Sequence, residues 1–165
     1  MGRTRRICGR AAVSFATVIG LALAICGGAA TASPLPATGT KQATQVAKAV
    51  LAPQNGGKVN GQATLVWNPA TDVLTVTMMA WGLAPGTTHP NHIHVGSCPS
   101  PGAIIYSLTD LVANPGGIAE ASTTFNAVTS VKFHGGWAWN VHQGPTMTAP
   151  GGATSIACGD VLSGR

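Results

Sequence analysis

The run His89-Pro90-Asn91-His92-Ile93-His94-Val95-Gly96-Ser97-Cys98 holds the residue types best able to do chemistry. Three of the chain's five histidines and one of its four cysteines fall within it. His92 and His94 are spaced i, i+2, so on a β-strand both rings leave the same face. Two imidazoles side by side can fill two of the three or four positions around copper or zinc. The alternative is a polar strand edge next to a disulfide, with no ligand at all. A third imidazole separates these readings. His142 closes the run Gly136-Trp137-Ala138-Trp139-Asn140-Val141-His142. There, alternation places Ala138, Asn140 and His142 on one face and Trp137, Trp139 and Val141 on an apolar one. If that strand lies beside the His92/His94 strand, three imidazoles meet on one polar patch. His134 is a poorer candidate. It lies about 26 Å from His142 along an extended strand and reads as a solvated loop histidine beside Gly135-Gly136.

The elements that must position these residues are short and extended. Apolar and polar residues alternate over residues 47–51, 61–67, 73–78, 91–95, 103–108, 119–125, 137–142 and 155–161. The intervening stretches are rich in Gly, Pro, Asn and Asp, among them Asn55-Gly56-Gly57 and Asn68-Pro69-Ala70-Thr71-Asp72. Beyond residue 32 no sustained 3.6-residue period occurs, and the one expected helical feature is a turn near Asp110. Seven to nine short strands at this spacing predict an all-β antiparallel barrel or sandwich. Met78 and Met79 are adjacent and so point to opposite faces, which keeps them from lining one site together. Trp67, Trp81, Trp137 and Trp139 read as core or barrel-surface packing.

Residues 1–32 have the form of an export signal: Arg3, Arg5, Arg6 and Arg10, an apolar run over 11–24, then Ala30-Thr31-Ala32 as a cleavage pattern. Ile25 ahead of Cys26 is too bulky for a good lipid-attachment site. Residues 33–45 are Pro/Thr/Ala-rich and read as a flexible linker, which leaves residues 46–165 as one domain. Without the signal, five basic residues (Lys41, Lys48, Lys58, Lys132, Arg165) face four acidic ones (Asp72, Asp110, Glu120, Asp160), a net of +1 against +5 for the whole chain. That balance gives no footing for nucleic acid, and no further long apolar run offers a transmembrane span. The expected location is secreted or in the cell envelope. In such an oxidising setting Cys98 and Cys158 most simply form one disulfide. The alternative, two thiolate ligands, needs a reducing or metal-protected setting.

Taken together and in order, these pieces resemble the copper/zinc superoxide dismutases. Gly82-Leu83-Ala84-Pro85-Gly86 matches that family's bend, and His89, His92 and His94 match its His-x-x-His-x-His hairpin. Residues 136–142 match the strand closing on its third copper histidine. Ala157-Cys158-Gly159-Asp160-Val161 matches the strand holding its second disulfide cysteine, and residues 108–119 follow the rhythm of its connecting piece. The resemblance covers nearly all of residues 46–162. It implies a Greek-key β-barrel, copper on His92, His94 and His142, a supporting role for His89 through hydrogen bonds, and a Cys98–Cys158 bridge.

Departures from the family are as informative. Between Cys98 and Ile104 stand only Pro99-Ser100-Pro101-Gly102-Ala103, so the zinc loop and the bridging histidine are missing. Ser107 stands at the zinc aspartate's position and Ser155 at that of the substrate-guiding arginine. The expectation is therefore an exported copper-binding, superoxide dismutase-like protein without zinc, taking copper (or zinc as the alternative single metal) and acting on superoxide. Two alternatives remain: a non-enzymatic metal-binding module of the envelope, and a metal-free adhesion or scaffold domain. The second draws on the chordin-type (CHRD) domain, which the chain resembles in its Gly-Leu…His-Ile-His part.

Overall fold

Small apolar residues alternating with polar ones produce a regular meander at the start of the domain. The computed structural model describes residues 42–164; the expected export signal, Cys26 and most of the expected linker lie outside the described residues. The strands are β1 (Gln45–Pro53), β2 (Asn60–Asn68), β3 (Val73–Trp81), β4 (Thr88–His89), β5 (Asn91–Val95), β6 (Ile104–Ser107), β7 (Leu111–Val112), β8 (Ile118–Phe125), β9 (His134–His142) and β10 (Ser155–Ser163). Ala49, Ala63 and Met78 stand opposite one another across β1–β3 and point into the core, while Lys48, Thr64 and Thr77 point out. The β1–β2 turn places Asn55 and Gly56 at positive φ, a conformation that Asn and Gly adopt at least cost. In the β2–β3 turn the Asn68 side chain accepts the Ala70 amide at 2.9 Å.

Eight of the strands form one antiparallel sheet in the order β6-β5-β9-β10-β1-β2-β3-β8. The sheet curls until its end strands face each other. Across that seam the Tyr106 and Phe125 rings lie 4.8 Å apart, and the Thr109 and Thr123 hydroxyls are hydrogen-bonded at 2.9 Å. Around the curl β5, β6 and β8 follow in sequence and β3 returns beside β8, which is Greek-key order. All eight strands legible in the sequence are present; several are longer by one to three residues at an end, and the strand expected over 103–108 is trimmed to Ile104–Ser107. The helical turn expected near Asp110 is not: residues 111–112 are extended and pair with β4. Met78 is buried and Met79 faces outward. Trp67, Trp137 and Trp139 are buried, while Trp81 is 40 % exposed on the barrel surface.

At the β1–β10 contact the two backbones approach closely. A Cβ built on Gly159 would strike the Val50 carbonyl oxygen, and the ladder between these strands skips from Ala49↔Val161 to Ala52↔Cys158. Only a residue without a side chain fits there. Gly159→Ala is expected to destabilise the domain by about 1–3 kcal/mol through overpacking, read as a lower urea midpoint at unchanged m-value.

Candidate metal centre

Strand alternation sorts the histidines before any loop is considered. On β5, Asn91 and Ile93 point into the barrel and His92 and His94 point out. On β9, Trp137, Trp139 and Val141 join the core and His142 lies on the outer side. β5 and β9 are neighbours, with His92 opposite Asn140 and His94 opposite Ala138. His142 stands two residues beyond Asn140 and is thus the diagonal neighbour of His92, within side-chain reach. The three ring centroids are 5.2–5.8 Å apart.

One ring nitrogen from each of His92, His94 and His142 lies within 4.8 Å of the others. Nitrogens sharing a metal at about 2.0–2.1 Å sit roughly 3.3–4.1 Å apart, so closing the group on an ion takes less than about an ångström of ring movement. The group could hold a metal ion. His94 Nδ1 lies 2.8 Å from the Gly102 carbonyl and His142 Nδ1 lies 2.9 Å from the Ala153 carbonyl. A carbonyl only accepts, so each Nδ1 carries the proton and each Nε2 keeps a free lone pair. Those two Nε2 atoms and Nδ1 of His92 are the buried side-chain polar atoms without a hydrogen-bond partner among the described residues. Leaving a buried polar atom unpaired costs about 1–3 kcal/mol. Three of them in one cluster fit a cation, since a metal satisfies all three together.

No protein-family model matches this chain, and no curated protein matches it in sequence.

His89 is the histidine that stays outside the cluster. It is buried, with Nδ1 donating to the His142 carbonyl at 2.9 Å and Nε2 2.7 Å from the Thr87 hydroxyl. It thereby fixes the backbone of one candidate ligand. His134 is exposed at the first position of β9, 3.1 Å from the Ser163 hydroxyl. Cys98 and Cys158 are disulfide-bonded, with Cα atoms 5.9 Å apart, which removes both thiolates as candidate ligands. The bond ties the loop after β5 to β10, and the Cys98 amide donating to Asp160 at 2.8 Å ties it again. That loop carries Gly102, whose carbonyl orients His94.

The polar patch expected on this face is covered rather than solvated. His92, His94 and His142 are only 4–7 % exposed, because the segments carrying Gly102 and Ala153 fold over them. The described side chains bordering the cluster are amides and hydroxyls. Ser155, opposite His142 in register, sits between the side-chain amides of Asn140 and Gln54, 2.5 Å from each. Ser107 stands opposite His92. Three contributors stand outside the histidines themselves. The orienting carbonyls of Gly102 and Ala153 leave no trace in residue type. Asn91, fully buried behind His92, was betrayed by its inward parity.

Burial also sets the protonation of the metal-free site. It pushes the His92 pKa down to about 4, with neighbouring His142 and His94 adding to the effect. His142 is lowered too, by burial first; its bond to Ala153 opposes the shift and His94 reinforces it. Both rings are neutral at pH 7 and ready to bind metal. A histidine whose folded pKa lies below its unfolded value of about 6.5 takes up its proton in the unfolded chain first. The metal-free protein is thus expected to hold constant stability from these groups above about pH 6.5 and to lose it progressively down to about pH 4. Urea midpoints measured across that window check the sign; a rise on acidification would contradict it.

Proposed function

We propose that this protein is an exported copper-binding relative of the copper/zinc superoxide dismutases, with one three-histidine site and no zinc. The observation carrying this reading is the trio of partnerless nitrogens on His92, His94 and His142. Two further features support it: the order of the motifs along the chain, and the Cys98–Cys158 bond beside the site. For the same nitrogen donors Cu(II) binds more tightly than Zn(II), which favours copper. Copper held there supplies one-electron chemistry, the type needed to oxidise one superoxide to dioxygen and reduce a second to hydrogen peroxide.

The chain's own residues do the rest. His92, His94 and His142 donate neutral nitrogens, and the Gly102 and Ala153 carbonyls hold two of those rings in the correct tautomer. Asn140, Ser155 and Ser107 border the site without charge. Protons for peroxide then come from water, and no arginine stands among the described residues to draw the anion in. A second reading, a metal-binding envelope module without turnover, gains from that same uncharged border. The metal-free CHRD-like scaffold leaves the three orphaned nitrogens unexplained.

A superoxide assay on copper-loaded, disulfide-intact protein separates the first two. The proposal expects chelator-resistant, copper-dependent dismutation below the diffusional ceiling of about 10⁹ M⁻¹s⁻¹. Its rate should depend little on ionic strength, because the described side chains bordering the site, Asn140, Ser155 and Ser107, carry no charge to steer the substrate. Tight copper binding with no turnover would leave only the module.

A further inference from the structure

On the inner face of the two histidine strands lies a polar unit that a barrel core does not need. Asn91 is completely buried. Its Oδ1 accepts the indole N–H of Trp139 at 3.0 Å and its Nδ2 donates to the Thr109 carbonyl at 2.8 Å. Its own carbonyl accepts the Leu108 amide at 3.1 Å. Trp139 is itself completely buried, and the Thr109 amide donates to Thr123 of β8 at 2.8 Å. A network of this sort reaches from β9 through β5 and across the seam. Leucine at position 91 paired with phenylalanine at 139 would fill the inner face with no buried amide or indole N–H to satisfy.

The placement of this unit explains its presence. Asn91 stands opposite Val141 and Ile93 opposite Trp139, so the Asn91–Trp139 bond runs diagonally across the β5–β9 ladder. On the other face His92 stands opposite Asn140, and the His92–His142 approach is also a diagonal of that ladder. Sliding or twisting β5 against β9 alters both diagonals together. β5 has only five residues, and its pairing with β6 is shifted between Ile93 and His94. Its ladder therefore holds it less firmly than a long regular hairpin would.

We propose that Asn91 is a positioning residue for the metal centre: its bond to Trp139 fixes the shear between β5 and β9 and with it the separation of His92 and His142. The ligand rests on the metal-centre reading above, but the geometry does not. Trp139→Phe removes the bond at the cost of a smaller ring, and Asn91→Leu removes it together with the bond to Thr109 while keeping position 91 filled. In metal-free ¹⁵N-labelled protein, both variants are expected to move the His92 and His142 ring-nitrogen resonances and weaken the cross-ring nuclear Overhauser contact. Cu(II) affinity is expected to fall about tenfold, as for other residues that orient metal ligands, with a changed electron paramagnetic resonance spectrum. The double variant should add little beyond either single one. Unchanged ring resonances and unchanged affinity would overturn the proposal, whatever happens to the melting temperature. So would failure of both variants to fold, which would assign the bond to the core alone. If the wild-type protein takes up no copper, the metal-centre reading fails, and the metal-free resonances still decide the role of Asn91.

Discussion

His142→Ala is expected to cut copper affinity by far more than the 10–100-fold typical of residues that only orient ligands, while leaving the metal-free domain folded. His142 contributes one of three nitrogens, and its loss leaves the β5 pair alone, short of a closed site. The folded state should tolerate the change. The substitution removes one partnerless buried nitrogen and keeps the backbone carbonyl that accepts His89 Nδ1. The clearest readout is the metal-induced rise in melting temperature. A ligand at a hundredfold excess over its Kd stabilises the native state by about 2.7 kcal/mol, a gain the wild-type protein should show and His142→Ala should lose. Equal metal-induced stabilisation in both proteins would mean that copper binds somewhere else.

The second large effect concerns the Cys98–Cys158 bond. It joins residues 60 apart in sequence, and constraining a loop of that size in the unfolded chain is worth about 4 kcal/mol. For a domain whose total stability is on the order of 5–15 kcal/mol, this is a large share. The Cys98→Ser/Cys158→Ser double variant is expected to melt on the order of 15 °C lower. It should also bind copper less tightly, since the freed loop carries the Gly102 carbonyl that orients His94. A melting temperature unchanged by the double substitution, or by a reductant, would contradict this account.

How much of this was readable in the sequence depends on what side-chain type encodes. Alternation with turn residues between runs located all eight strands of the main sheet, because a half-buried strand writes its two faces into every second residue. β4 and β7 escaped, since two residues carry no period, and Asp110 offered a turn signal in their place. His92, His94 and His142 were legible by parity and by motif order. Their burial was not, because the covering segments act through backbone carbonyls at Gly102 and Ala153 that any residue possesses. The nitrogen each ring presents was equally hidden. The buried nitrogen left without a partner is Nδ1 in His92 but Nε2 in His94 and His142. Asn91 had the right signal, an inward-facing polar residue in a core strand, but its partners Trp139 and Thr109 lie 48 and 18 residues away.

The proposed function requires His92, His94 and His142 to form one metal centre. In a titration of metal-free, disulfide-intact protein with Cu(II) under electron paramagnetic resonance, one copper per chain is expected at micromolar concentration or below, with nitrogen coupling from imidazole that is lost in His92→Ala and His142→Ala. Absence of binding at micromolar copper, or an identical spectrum in those two variants, would contradict it.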